Sequence, residues 1–179
     1  PLHKLIRKRK IELPSSTVVS KQFDLINKSM DEMNYINYEI SSFSKKGFKS
    51  KHNSNYWCNE NYIGYGPGAH SYDKKYRYWN IRDNKEYVNR INNRKSYFKS
   101  EKLTNTQKIN EFIITRIRTM EGINNLELKN LNGICLFKEK DKEIKYLKDE
   151  SLIDVKENRI VLTNRGKKIV DNIIEKISF

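Results

Sequence analysis

Apolar residues along this chain recur in two rhythms, with an irregular stretch between them. Val19, Phe23, Ile26, Met30 and Met33 fall at three- and four-residue steps, the spacing that gathers side chains on one helical face. Pro14 and Ser15-Ser16 punctuate the start of that run, with Ser16 placed as the N-cap. The pattern predicts a helix to about Met33 with these five residues in a core. Tyr35 to Phe43 alternates with β-branched and aromatic residues and predicts a strand. From Ser44 to Tyr72 no period survives, as expected of a ligand-lining loop carried on a scaffold. Tyr76 to Ile81 predicts a short strand. Asp83 or Asn84 then caps a helix through Arg94, with Tyr87, Val88 and Ile91 on one face.

Tyr97 to Leu103 reads as a linker (97–103) between a first unit, residues 1–96, and a second, residues 104–179. In the second unit Thr104 and Gln107 have the spacing of a capping box. Ile109, Phe112, Ile113, Ile117 and Met120 mark the buried face of the helix that follows, and Gly122 ends it. Leu126 to Leu131 and Phe137 to Leu147 predict two further helices. Leu152 to Val155 and Arg159 to Leu162 predict a hairpin around Glu157-Asn158. Thr163 caps a last helix carrying Ile169, Val170, Ile173, Ile174 and Ile177. Helices followed by a hairpin give this unit a winged-helix-like outline.

Composition narrows the classes. The 179 residues fit one domain, or one domain with a piece of another. Hydrophobic residues make up 36% and charged residues 32%, a globular but polar balance. No apolar run approaches the roughly 20 residues of a membrane span. Two cysteines without pattern give no disulfide framework and agree with a cytoplasmic location. The net charge of +14 raises a nucleic-acid reading, but the lysines are scattered rather than striped. Between Lys138 and Glu150, where a winged helix would carry its reading helix, five lysines meet five acids. One cluster stands out: Lys45, Lys46, Lys49 and Lys51 lead straight into His52, where they could pair with carboxylates of a ligand.

The chemistry concentrates between His52 and Tyr72. There an imidazole able to ligate a metal, the aromatic rings of Tyr56 and Trp57, and close-approach glycines share a short segment. His52-Asn53-Ser54-Asn55-Tyr56-Trp57 resembles the HNxxYW signature of the HemW-type heme chaperones, relatives of oxygen-independent coproporphyrinogen III oxidase in the radical S-adenosylmethionine (SAM) superfamily. Tyr38-Glu39-Ile40-Ser41-Ser42-Phe43 resembles the block before that signature. Ile63 to Tyr72, with Gly64, Gly66, Gly68, Ala69 and His70, resembles the block after it. Arg77 and Asn80 match an Arg-x-x-Asn pair. Weaker similarity continues through Thr115 to Arg118, Gly122-Ile123 and Leu162 to Gly166.

The resemblance implies an α/β fold: the end of a radical-SAM-type partial (β/α) barrel, followed by the small helical, winged-helix-like C-terminal domain. It implies His52 as the heme-iron ligand, with Asn53, Tyr56 and Trp57 completing a heme-binding segment. Asn53 is either an acceptor for the second imidazole nitrogen or a turn cap; Tyr56 and Trp57 either stack on the macrocycle or fill the adjoining core. By the same resemblance Phe43, Ser44, Gly66, Gly68, Ala69 and His70 approach SAM, while a tight turn closing the sheet explains the glycines equally well. A [4Fe–4S] cluster requires a CxxxCxxC loop, which Cys58 and Cys135 cannot supply. Cluster and SAM would therefore belong to a full-length protein whose N-terminal half lies outside this chain, the start at Pro1-Leu2 resembling a Thr-Pro-Leu midway along the family. The implied partners are heme and a heme-acceptor protein, with membrane-associated respiratory components among the acceptors. The alternatives are a coproporphyrinogen oxidase and a basic nucleic-acid-binding module.

Overall fold

A computed structural model describes residues 2–179. Pro1, and with it the Thr-Pro-Leu comparison, lies outside the described residues. After a short helix α1 (Leu2–Arg7), α2 spans Ser16–Glu32. Its cap is Ser15, one residue earlier than expected, whose side chain accepts from the Val18 N–H at 3.3 Å. The expected core face of α2 is not covered. Val19, Ile26 and Met33 are about half exposed, at 49%, 49% and 53%, and no residue of α2 is buried. Phe23 and Met30 are half-buried.

The single strand expected over Tyr35–Phe43 is a hairpin, β1 (Ile36–Glu39) against β2 (Ser42–Ser44). Polar side chains make the reversal. The buried Glu39 carboxylate accepts from the Ser42 hydroxyl at 2.6 Å, and the Asn37 amide donates to the Glu39 carbonyl at 2.5 Å. The stretch expected to be irregular contains a helix, α3 (Lys51–Trp57), started by Ser50, whose hydroxyl accepts from the Asn53 N–H at 3.2 Å.

Next comes an antiparallel sheet of β3 (His70–Tyr72), β4 (Tyr76–Asn80) and β5 (Phe98–Lys102), ordered β3-β4-β5. The residues read as a linker are thus a strand, paired along all of β4 from Tyr76↔Lys102 to Asn80↔Phe98. Their alternation is largely polar because β5 is an edge with little to bury. Between β4 and β5 runs α4 (Asn84–Asn92), capped by Asp83 through the Glu86 N–H at 2.8 Å.

The second half begins with α5 (Asn105–Ile117), whose Thr104–Gln107 capping box is present in both directions. It continues through β6 (Ile123–Asn124), α6 (Asn125–Asn132), α7 (Leu136–Glu139), α8 (Asp141–Asp149), the hairpin β7 (Ile153–Lys156) and β8 (Arg159–Leu162), then α9 (Asn164–Lys167) and α10 (Val170–Ile177). The sheet order is β6-β8-β7, and this sequence of helices, short strand and hairpin is that of a winged helix. Glu157 and Asn158 turn the hairpin with φ of 46° and 67°. The expected third helix is two, broken at Lys140, and α5 ends at Ile117, five residues before Gly122. Gly122 instead sits at φ +66°, where a Cβ would lie 2.1 Å from the Ile160 carbonyl oxygen.

Ile113, Ile117, Ile123, Leu128, Leu136, Ile160 and Ile177 are fully enclosed and form the centre of one core. Met120 stays outside it at 44% exposure, as does Ile169 at 42%. Helices and sheets give the mixed α/β class expected. Every described strand pair is antiparallel, and no closed barrel forms among the described residues. Shortening Ile113 to Ala empties part of the core and is expected to cost about 2–5 kcal/mol in urea unfolding. A cost below about 1 kcal/mol would show that the surrounding helices collapse onto the vacancy.

Candidate functional site

Helix α3 carries the signature, and its surroundings sort the residues. His52 is exposed on the first turn, and its imidazole makes no hydrogen bond among the described residues. Its imidazole meets the Tyr56 ring edge-on, with centroids 5.1 Å apart at 83°. Tyr56 in turn packs on Tyr62 at 4.6 Å, and Tyr62 stacks on Tyr72 at 6.0 Å. One turn of helix thus places His52 at the open end of an aromatic row whose far end is strand β3. Burial raises the Tyr62 and Tyr72 hydroxyl pKa values above the ordinary tyrosine value, so both stay neutral.

Asn53 faces the hairpin. Its amide donates to the Ser42 hydroxyl at 3.3 Å and reaches the Tyr38 hydroxyl at 3.5 Å. The amide is therefore a tether between α3 and the β1–β2 hairpin, committed away from the imidazole. Trp57 is half-buried against a cavity of about 320 Å³ shared with Tyr38, Lys49, Arg116 and Glu121. Its indole N–H is buried without an acceptor. Cys58, exposed and unpaired, caps the helix with its sulfur 3.4 Å from Arg116 Nη1.

The basic cluster is partly spent on the protein itself. Lys49 pairs with Glu121 at 2.8 Å, and Lys45 lies over the Tyr35 ring at 5.8 Å. Lys46 and Lys51 remain exposed.

The glycine turn has a separate support. Asn80, 5% exposed, donates through its carboxamide to the Gly66 carbonyl at 2.9 Å and the Gly64 carbonyl at 3.3 Å. The Tyr87 hydroxyl accepts from the Gly66 N–H at 3.2 Å. Gly64 cannot be replaced, since a Cβ there would lie 2.1 Å from the His70 carbonyl oxygen. Gly66 is different: at φ +97° its outer side is open space. Ala69 receives the Asn80 N–H at 2.9 Å, and His70 pairs with Trp79 across the sheet with its side chain exposed.

Phe43 and Ser44 have other neighbours. Phe43 lines a cavity of about 410 Å³ with Phe23, Tyr35, Asn37 and Lys167. Ser44 is buried at 8%, its hydroxyl without a partner. The turn at Gly66–His70 leans on β4 and α4, whereas Phe43 leans on α2 and α9.

Tyr62 went unread in the sequence, and Tyr72 and Arg77 were read there only as parts of matched blocks, without the roles they have. Tyr62 and Tyr72 complete the aromatic row; the density of tyrosine between Tyr56 and Tyr78 was their only signal. Arg77 of the Arg-x-x-Asn pair bonds Glu111 of α5 and lies 3.6 Å from Glu101 of β5, so it ties the sheet to the second half. Among the described residues no three of His, Cys, Asp and Glu converge as a metal centre.

The fold is similar to that of a solved radical SAM enzyme. It superposes on coproporphyrinogen III oxidase (HemN) from Escherichia coli, a radical SAM enzyme, with a TM-score of 0.68, 16% identity, and coverage of 95% of this chain and 44% of that one. No family model matches the chain. Sequence comparison narrows the likeness to the heme chaperones. Heme chaperone HemW of Bacillus subtilis is 28% identical over 172 residues, 96% of this chain and 45% of the relative. That of Lactococcus lactis is 29% identical over 95% of this chain and 45% of the relative. A mitochondrial radical S-adenosyl methionine domain-containing protein 1 of Dictyostelium discoideum is 29% identical over 95% of this chain. The likeness read from the motifs thus holds along nearly the whole chain, which spans less than half the length of these relatives.

Replacing Asn80 with Ala strands the Gly64 and Gly66 carbonyls and is expected to destabilise the fold by about 1–3 kcal/mol. Amide exchange should accelerate across residues 64–70 while α5 is unaffected. Uniform acceleration would assign Asn80 a global role instead.

Proposed function

We propose that this chain is the heme-holding part of a heme chaperone, gripping iron through His52 and releasing the heme to an acceptor protein. The observation that carries this is the state of the imidazole: exposed, free of hydrogen bonds, and backed by the Tyr56–Tyr62–Tyr72 row. A ring nitrogen used by the protein's own hydrogen bonds would compete with iron; this one has no competitor. Most metal-ligating histidines have the second nitrogen oriented by an acceptor. Here the Asn53 –NH2 donates to Ser42 and Tyr38 and no acceptor contacts the imidazole, whose neighbour is the Tyr56 ring edge. A single ligand without that acceptor holds iron weakly enough to let go, which transfer demands.

The residues present fit heme and do not fit a cluster. A CxxxCxxC loop brings three thiolates to one [4Fe–4S] cluster, and the chain's two cysteines sit apart, Cys58 at the end of α3 and Cys135 before α7. This chain therefore supplies no cluster-binding set. For SAM, the support lies in the turn, where Gly66 and Gly68 both hold positive φ and Gly66 faces open space. We assign Gly66, Gly68, Ala69 and His70 to that approach. The inclusion of Phe43 and Ser44 has less support, since they are walled by other elements.

The oxidase reading is favoured by the fold likeness to HemN. It predicts that the full-length protein, with SAM and a reductant under anaerobic conditions, converts coproporphyrinogen, which a chaperone leaves unchanged. The nucleic-acid reading draws on the winged-helix order, but α8 presents three lysines against three acids and offers no basic reading surface.

Heme titration should give a Soret band that His52→Ala shifts and an affinity that falls at least about tenfold, since the only strong iron donor in the signature is gone. An unchanged spectrum and affinity in a folded mutant would remove His52 from the site. Lys46→Gln with Lys51→Gln should weaken heme binding by less than about fivefold, and the loss should fade as salt is raised. A salt-independent loss would mean that the lysine stems pack rather than pair.

A further inference from the structure

Away from α3, a groove of about 920 Å³ opens between α2 and the segment around α9. Val19, Phe23, Ile40 and Ile169 give it apolar walls, which is where part of the uncovered face of α2 points. Four cations line it, Lys21, Arg165, Lys167 and Lys168, and no acidic residue is among its lining. Only Lys168 has a carboxylate partner, Asp24 at 2.7 Å. Lys167 is half-buried and donates to the neutral Asn37 amide oxygen at 2.6 Å. Its burial lowers its pKa, the mark of an ammonium that has lost water without gaining an anion. Lys21 and Arg165 have no carboxylate partner among the described residues.

A hollow of this volume is within the range of ligand sites, which are mostly apolar with a few placed polar groups. A half-buried cation calls for an opposite charge, and the protein supplies none to Lys167, while the exposed Lys21 and Arg165 at the rim have no carboxylate partner to compete with a bound anion. We propose that the groove binds an amphiphilic carboxylate, its apolar body against Val19, Phe23, Ile40 and Ile169 and its carboxylate paired with Arg165 and Lys167. Arginine can hold such a group by two parallel hydrogen bonds. Two sources share this chemistry: a long-chain acyl carboxylate, and the propionates of a tetrapyrrole. The site uses no residue of α3 and stands whether or not His52 ligates iron.

The test uses oleate and metal-free protoporphyrin, which an imidazole cannot ligate, titrated by calorimetry and fluorescence. Saturable binding of one probe is expected, and the probe that binds identifies the source. Arg165→Gln with Lys167→Met should weaken it by roughly tenfold or more, while His52→Ala leaves it unchanged. Lys21→Gln with Arg165→Gln, both exposed, tests the same charge without touching a packed residue and should weaken binding several-fold. Absence of saturable binding of either probe below about 100 µM overturns the proposal. So does an affinity that neither double variant alters, because the apolar walls alone would then account for it.

Discussion

A buried carboxylate organises the helix that carries the signature. Glu39 is only 5% exposed, and an acidic group so placed requires hydrogen-bond donors around it. It finds them in the Ser42 hydroxyl at 2.6 Å and, more distantly, in the Ser41 N–H and hydroxyl at 3.4 Å. Meeting that demand folds the chain back on itself at Ile40-Ser41. The reversal presents Ser42 and Tyr38 to Asn53, which docks α3. The hairpin is fixed in turn to the second half, through the Ile40 N–H on the Arg118 carbonyl at 3.1 Å and the Met120 N–H on the Tyr38 carbonyl at 3.1 Å. The position of His52 thus descends from how one carboxylate is satisfied.

This explains which parts of the fold the sequence disclosed. Elements that depend on apolar period and capping were legible: α5 with its Thr104–Gln107 box, the Glu157-Asn158 hairpin, and α4 behind Asp83. Elements made by polar side chains were not. The β1–β2 reversal rests on Asn37, Glu39 and Ser42, none of which signals a turn by type alone. Helix α3 is seven residues long with no apolar stripe, and only Ser50 announced it. Strand β5 reads Phe-Lys-Ser-Glu-Lys because it is an exposed edge, so it lacks the alternation of a half-buried strand. The face of α2 shows the converse failure. Its period is helical, but period says that a residue will sit on one face, not that anything covers that face.

For the site, the blocks that carried the family likeness prove to have separate physical duties. Tyr38, Glu39 and Ser42 dock α3; Asn80 clamps the glycine turn; Arg77 joins the sheet to α5. The side chains of His52, Ile63, Tyr65 and His70 and the open side of Gly66 are left facing outward. Side chains that a fold uses are satisfied within it, and the unsatisfied remainder is where a ligand has to be sought. Asn53 belongs to the first group although it adjoins His52 in sequence, because successive helical residues point about 100° apart.

Arg116 shows how the signature helix communicates with the second half. Its guanidinium pairs with Glu127 of α6 at 2.5 Å, lies over the Phe112 ring at 5.3 Å, and reaches the Cys58 sulfur at the end of α3. It also borders the cavity beneath Trp57. Helix α5 therefore contacts the signature helix through a residue already held at two points by its own half. Helix α3 is held by its Ser50 cap, by Asn53 on the hairpin and by Cys58 against Arg116, so the position of His52 is coupled to the hairpin and to α5. On the proposed heme-holding role, a single ligand on a helix pinned in this way would let heme leave without a segment having to unfold.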